Sequence, residues 1–86
     1  MNMKNVIVIL DKGFVYHGDL TKIDEVWYQI DNAKNIRRYG TDRGLGQLAL
    51  TGPTKDTKLD PCGPIRFPFH SLVSILECDN AMLGKT

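Results

Sequence analysis

Short apolar runs rich in β-branched residues recur along the chain, and polar segments that contain glycine separate them. The two clearest runs are residues 5–10, NVIVIL, and residues 71–78, SLVSILEC. The first run is typical of a strand that is buried on both faces, and the second is predicted to be the closing strand. The other strand-like stretches are residues 14–20, 26–30, 35–39 and 65–69. Strands that follow one another at intervals of about ten residues predict a small, strongly bent antiparallel barrel.

Glycine, aspartate and asparagine mark the places where the chain is expected to bend. Residues 11–13, DKG, and residues 31–33, DNA, are predicted to be turns because these residue types tolerate positive φ or bond to their own backbone. Gly18 lies inside a predicted strand, where glycine typically marks a bulge, a sharp bend or a close approach of two backbones. The first half of the chain is therefore predicted to be a meander of four strands.

The second half contains one candidate for a short helix. Residues 45–49 place leucine, leucine and alanine at i, i+3 and i+4. Thr41 or Asp42 is suited to cap the first turn of this helix. Gly52 followed by proline is typical of a helix end. Two turns of helix are not stable alone, so the apolar face is expected to pack on the sheet, at one end of the barrel. Residues 54–64 are polar and predict a long loop or lid.

The size and charge of the chain narrow the class of protein. Its 86 residues, 1–86, suit a single domain, in which the polar residues 79–86 are predicted to be a frayed tail. The formal net charge is +1. No stretch reaches the roughly 20 apolar residues of a membrane span, and the N-terminal apolar run lacks the pattern of a signal peptide. We therefore expect a cytoplasmic protein, without a membrane partner and with reduced thiols.

Residues that could carry catalysis or bind a metal are few and widely spaced. Cys62, Cys78, His17 and His70 would make up a Cys₂His₂ set, but no two of them lie within one turn of each other, as zinc ligands from short segments usually do. The same residues form no grouping of nucleophile and base. The sequence therefore predicts no enzymatic activity, no metal and no cofactor.

Residues 6–33, VIVILDKGFVYHGDLTKIDEVWYQIDNA, resemble the first sequence motif of the Sm and Sm-like RNA-associated proteins. The matching features are the apolar strand followed by Gly13, Gly18, Leu20, Asp24 and the closing Asn32 and Ala33. The resemblance implies strands one to three of a small SH3-like barrel, with the second glycine easing a bent strand. The family's second motif, which carries an Ile-Arg-Gly-like triplet, has no counterpart here. The fold is thus expected to carry over without the uridine-binding chemistry.

A second resemblance covers the whole chain. Residues 32–40 read N-A-x-x-I-R-R-Y-G, residues 44–53 read G-L-G-Q-L-A-x-x-G-P, and an apolar strand ends at Cys78. In this order, and after the initial VIV run, these features are similar to those of a group of small bacteriophage proteins. The resemblance implies a phage gene product that acts in the cytoplasm of a bacterial host.

Positive charge is concentrated in residues 34–43, KNIRRYGTDR, ahead of a glycine-rich turn and the predicted helix. A helix N-terminus attracts anions, glycines let a ligand approach the backbone, and guanidinium groups bind phosphate in bidentate fashion. Tyrosine can stack on a base. The candidate ligand-binding residues are Arg37, Arg38, Tyr39, Arg43, Gly44, Gly46 and Lys55.

The same stretch also has a purely structural interpretation. Arg37 and Arg38 are expected to point to opposite faces of a strand, so that at most one faces a given pocket. Tyr39 would then belong to the core, and the glycines would only permit chain reversal. The G-x-G-x-x-A match of residues 44–49 lacks the βαβ unit that a dinucleotide site requires. Trp27 is predicted to be a core residue.

Three functions fit these observations. The first is a non-enzymatic, homo-oligomeric barrel that binds a small anionic nucleotide; the phage resemblance extends this to sequestration of a nucleotide signal of bacterial immunity. The second is an Sm-like ring that binds single-stranded RNA. The third is a module that binds a host protein through a sheet edge or the long loop.

Overall fold

The computed structural model describes residues 2–40 and 44–78. Over these residues the chain forms six strands, one α-helix and two single turns of 3₁₀-helix, the latter at Asp11–Gly13 and Phe69–Ser71. The strands and the helix are β1 (Asn2–Leu10), β2 (Val15–Lys22), β3 (Trp27–Arg38), α1 (Gly44–Thr51), β4 (Lys58–Pro61), β5 (Ile65–Pro68) and β6 (Leu72–Glu77). The predicted frayed tail, residues 79–86, lies outside the described residues. Within the described part of the chain, no helix is long and apolar enough to cross a membrane.

All strand pairs are antiparallel and belong to one sheet. The order is β4-β3-β2-β1-β6, and β5 pairs with the first half of β3. This confirms the predicted fold class, mainly β with one short helix. The sheet is not closed, because β5 and β6 are not hydrogen-bonded to each other, so the architecture is a bent sheet or open barrel.

The central strand β1 separates two hydrophobic cores. Val6 and Val8 face the first core, and Ile7, between them in sequence, faces the second. All three side chains are fully buried, which confirms the prediction of a strand covered on both faces. Burying one such side chain stabilises the fold by roughly 1.5 to 3 kcal/mol, so this triplet is a major contributor to stability. The other buried members of the first core are Leu10, Leu20, Ile30, Ala33 and Phe67.

Helix α1 covers the second core. Its buried residues Leu48 and Ala49 cluster with Ile7, Val15 and Ile36. The helix therefore lies over one face of the sheet, and the expectation that it packs at one end of the barrel is wrong. It lies there because it covers the β1 side chain that points away from the first core.

The helix ends where the sequence predicts. Gly52 has φ of 87° and its N–H donates to the Leu48 carbonyl at 2.9 Å, which is a typical glycine stop. The predicted capping residues, Thr41 and Asp42, lie outside the described residues.

The predicted turn at residues 31–33 is wrong, because β3 continues through it as a bulge. Asn32 adopts φ of 53°, a conformation that asparagine tolerates, and the pairing of β2 with β3 shifts register there. The additional residue lets Ile30 and Ala33 both face the first core. Gly18 lies opposite the bulge: a Cβ on it would lie 2.5 Å from Ile30 Cγ2 and 2.7 Å from the Asp31 carbonyl oxygen. Gly18 therefore allows the close backbone approach predicted for it.

The long loop predicted at residues 54–64 is also wrong. Residues 54–57 form a turn, which is closed by a 3.2 Å hydrogen bond from the Thr57 N–H to the Thr54 carbonyl. Residues 58–61 form strand β4, which pairs with the free edge of β3. Cys62 N–H then donates to the Ala33 carbonyl at 3.0 Å. The sequence lacks a strand signal here because only Leu59 packs on a core, while the backbone of β3 supplies the pairing partners.

A polar cluster holds two bulges together. Asn5, with φ of 58°, lies where β1 shifts register against β2. The Asp19 carboxylate accepts hydrogen bonds from the Asn5 backbone N–H at 3.1 Å and from Asn32 Nδ2 at 3.0 Å. Partial burial raises the pKa of Asp19, but the hydrogen bonds from Asn32 and Asn5 outweigh it, and the pKa lies below its ordinary value. One carboxylate thus ties the irregular positions of β1 and β3 to β2.

His17 is the buried partner of Asn5. Its side chain is fully buried, and Nε2–H donates to Asn5 Oδ1 at 2.8 Å. Nδ1 is buried and has no hydrogen-bond partner in the described part of the chain. Burial, with a smaller contribution from nearby Lys34, lowers the pKa of His17 from 6.5 to about 4, although Asp19 opposes the shift. His17 is therefore neutral in the folded protein near pH 7.

This burial predicts a pH-dependent stability. Between pH 6.5 and pH 4 the unfolded chain binds a proton at His17 that the folded chain excludes, so stability is full above pH 6.5 and falls as the pH falls towards 4. We expect a loss of about 2 to 3 kcal/mol over this range in urea unfolding experiments. His17→Gln should remove this part of the slope, whereas His70→Gln, at an exposed histidine, should retain it. Equal slopes for the wild type and His17→Gln would contradict this explanation.

Candidate functional site

Three of the predicted ligand-binding residues meet in one cleft at the end of β3. Arg37, Arg38 and Tyr39 line it, and the cleft has a volume of about 350 Å³. Gly13, Val15 and Ile36 complete its lining. The cleft exists because the end of β3 extends past the start of β2, beside the turn at Asp11–Gly13.

A bulge explains why both arginines line the same cleft. Ile36 pairs with Leu59 and Arg38 pairs with Lys58, so Arg37 is an additional residue in β3. The prediction that Arg37 and Arg38 face opposite directions, with at most one of them at a given pocket, is therefore wrong. Strict alternation fails at a bulge because two residues of one strand lie opposite one residue of the other.

The two guanidinium groups have different surroundings. Arg37 forms a bidentate ion pair with Asp60, with Nε 2.8 Å from Oδ2 and Nη2 3.3 Å from Oδ1. Both side chains are exposed, so the pair contributes at most about 1 kcal/mol to stability. Arg38 is also exposed, and no carboxylate among residues 2–40 and 44–78 pairs with it. Of the two arginines in the cleft, Arg38 is therefore the one whose positive charge is not paired with a carboxylate of the described residues.

Tyr39 lies at the surface. Its side chain is 41% exposed, so the alternative placement in the core is wrong. Thr57 Oγ1 donates to the Tyr39 carbonyl at 2.7 Å, and Thr54 Oγ1 donates to the Gly40 carbonyl. The turn at Thr54–Thr57 thus holds the backbone beneath an exposed aromatic ring. Lys55 is exposed on this turn, but it does not line the cleft.

The glycines of the stretch differ in what they do. Gly40 has φ of 69°, and a Cβ on it would overlap the backbone of Asp56 and Thr57, so this residue is required where two segments cross. Gly44 has φ of 73° and lies near the Tyr39 ring, since a Cβ on it would be 3.8 Å from Tyr39 Cδ2. Gly46 lies apart, in a separate groove lined by α1. Arg43 lies outside the described residues.

The prediction that Trp27 is a core residue is wrong. It is 43% exposed, because β3 alternates there and directs Tyr28 and Ile30 into the first core. The same alternation in the sequence could have revealed its outward position. The Asp24 carboxylate accepts hydrogen bonds from the Val26 and Trp27 backbone N–H groups at 2.8 and 2.9 Å, which orders the loop before β3.

The cysteine and histidine residues remain dispersed in the fold. Cys62 is exposed and Cys78 is partly buried, and no disulfide joins them. His17 is buried in the sheet, whereas His70 is exposed. In the part of the chain that the structure describes, no group of three or more His, Cys, Asp or Glu side chains could hold a metal ion.

Comparison of the chain with protein-family models, curated proteins and solved structures finds no match. The resemblances to Sm-like proteins and to small phage proteins therefore stay predictions.

Substituting Gly40 tests whether the cleft depends on the crossing of its backbone with the Thr54–Thr57 turn. Gly40→Ala should lower the free energy of unfolding by about 2 kcal/mol or more, because it adds strain at positive φ and a clash with backbone atoms. Gly46→Ala is the matched control, since nothing lies within 4 Å of a Cβ at this helical position. It should stabilise the protein by about 0.5 to 1 kcal/mol. Equal effects in urea unfolding would refute the structural role of Gly40.

Proposed function

We propose that the protein is a non-enzymatic binder of a small anionic ligand of the nucleotide type. The observation that carries the proposal is the presence of an exposed Arg38 and an exposed Tyr39 side by side in one cleft. A guanidinium group binds phosphate through paired hydrogen bonds, and an aromatic ring stacks on a base. The two chemistries of a nucleotide therefore have adjacent partners.

The dimensions of the cleft also favour a small ligand. A volume of about 350 Å³ lies at the lower end of the range for small-molecule sites. A single cleft of this size suits a compact ligand better than a long duplex, whose binding requires an extended basic surface. We further propose that the protein acts as a homo-oligomer, in which a second copy completes the enclosure of the ligand.

The resemblance to phage proteins suggests a biological role for such a binder. A small protein that binds a nucleotide without converting it can lower the free concentration of that nucleotide. In a bacterial host, the ligand would be a nucleotide signal of antiviral immunity, and the protein would sequester it in the cytoplasm.

Calorimetry and native mass spectrometry against cyclic dinucleotides, cyclic trinucleotides and ADP-ribose derivatives test this proposal. We expect binding of one ligand class at micromolar concentration or below, and a loss of about tenfold in Arg38→Ala. Tyr39→Ala should also weaken binding by about fivefold or more, through loss of stacking. Arg66→Ala is the control, because Arg66 is an exposed strand arginine bonded to Gln29 and outside the cleft.

Two results would reject the proposal. One is the absence of binding across the ligand panel, and the other is unchanged affinity in the Arg37→Ala/Arg38→Ala double variant. Retention of single-stranded RNA, with an affinity that falls steeply as salt rises, would instead favour the Sm-like alternative.

A second candidate function rests on a separate surface. Four large apolar side chains are exposed around the start of β3 and the end of β5, and Trp27 is among them: Ile23, Val26, Trp27 and Phe69. Exposed apolar groups with an aromatic anchor are typical of protein interfaces.

If the protein inhibits a host factor through this surface, Trp27→Ser should abolish capture of that factor in a pull-down from host lysate and leave nucleotide binding unchanged. Unchanged capture by Trp27→Ser would exclude this surface.

A further inference from the structure

The pairing of β3 with β4 places two positive charges opposite each other beside the cleft. Arg38 is the register partner of Lys58, and both side chains are exposed. Directly opposed residues have Cβ atoms about 5 Å apart, and like charges in such positions destabilise a sheet. In the described part of the chain, no carboxylate forms an ion pair with either of them. An anion bound between the two side chains would relieve this repulsion.

The neighbouring arginine is engaged elsewhere. Arg37 directs its guanidinium group at both oxygens of Asp60, the residue two positions beyond Lys58 on β4. Since residues two apart on a strand share a face, Lys58 and Asp60 lie on the same side of the sheet. One arginine of the pair is thus partnered by a carboxylate, while the other is opposed by a lysine.

We propose that Lys58 is a further binding residue, and that Arg38 and Lys58 together hold the phosphate group of the ligand. Arg37 is then held by Asp60 and does not contact the anion. This inference rests on the proposed function and specifies the groups that would contact the anion. The ligand chemistry that fits is a phosphate ester or pyrophosphate held between two cations beside an aromatic ring.

The fold connects this cation pair to the aromatic ring of the cleft. Lys58 directly follows Thr57, whose hydroxyl donates to the Tyr39 carbonyl at 2.7 Å. Tyr39 directly follows Arg38 on the other strand. Because both segments are joined by this bond and by strand pairing, the backbone positions that carry the two cations and the ring are held in a fixed relation before any ligand binds, which lowers the entropic cost of binding.

Inorganic pyrophosphate is a suitable probe because it carries the charge of the ligand and no base. Backbone amide shifts in an NMR titration at low ionic strength should report binding near residues 37–39 and 57–59. Arg38→Ala and Lys58→Ala should each weaken binding by about tenfold, and Arg37→Ala by less than about twofold. Lys58→Gln provides a second variant with the same expected loss, and the amide spectrum of each variant reports whether it is folded.

Charge-matched variants separate a specific site from general attraction. Arg66→Ala removes the same charge outside the cleft and should change affinity by less than about twofold. Asp60→Asn should tighten binding by about threefold, because it releases Arg37 from its ion pair, whereas Glu25→Gln adds the same net charge on a distant loop and should not.

The outcomes distinguish this inference from the proposed function. Equal losses in Arg37→Ala and Lys58→Ala, or no pyrophosphate binding by the wild type, would overturn the role of the Arg38–Lys58 pair. Pyrophosphate binding with the expected pattern, together with no binding of any nucleotide in the panel, would support the pair and reject the nucleotide ligand.

Discussion

Strand β1 is buried on both faces, and this burial explains the placement of the other elements. Val6, Ile7 and Val8 follow one another and are all fully buried, so apolar cover is needed above and below the same strand. The curved sheet supplies one cover and helix α1 supplies the other. A helix of eight residues is too short to be stable alone. Its presence therefore follows from the second apolar face of the sheet.

Strand β3 can serve both cores because it is irregular. The bulge at Asn32 keeps Ile30 and Ala33 on the first core, and Ile36, further along, faces the second. Gly18 permits the close approach of β2 that this path requires, and Asp19 holds the bulge in place. The strand consequently ends beside the helix-covered face, where its last residues form the cleft.

The chemistry of the cleft is determined by strand pairing more than by the number of arginines. A second bulge, at Arg37, allows neighbouring arginines to line one cleft. β4 then places a carboxylate near one of them and an amine opposite the other. Two adjacent residues of the same type thereby acquire different surroundings: Arg37 forms an ion pair with Asp60, and Arg38 lies opposite Lys58.

The strand-rich fold, the buried first strand, the helix and its glycine end could be predicted from the sequence, because apolar periodicity and glycine act locally. The sequence also indicated Arg37, Arg38 and Tyr39 as neighbours in a basic segment. Other features became apparent only in the folded chain: residues 31–33 continue a strand, residues 58–61 form β4, and Trp27 and Tyr39 are exposed. These features depend on partners distant in the chain: a bulge is defined by the strand opposite it, and an edge strand such as β4 is stabilised mainly by the backbone hydrogen bonds of its neighbour.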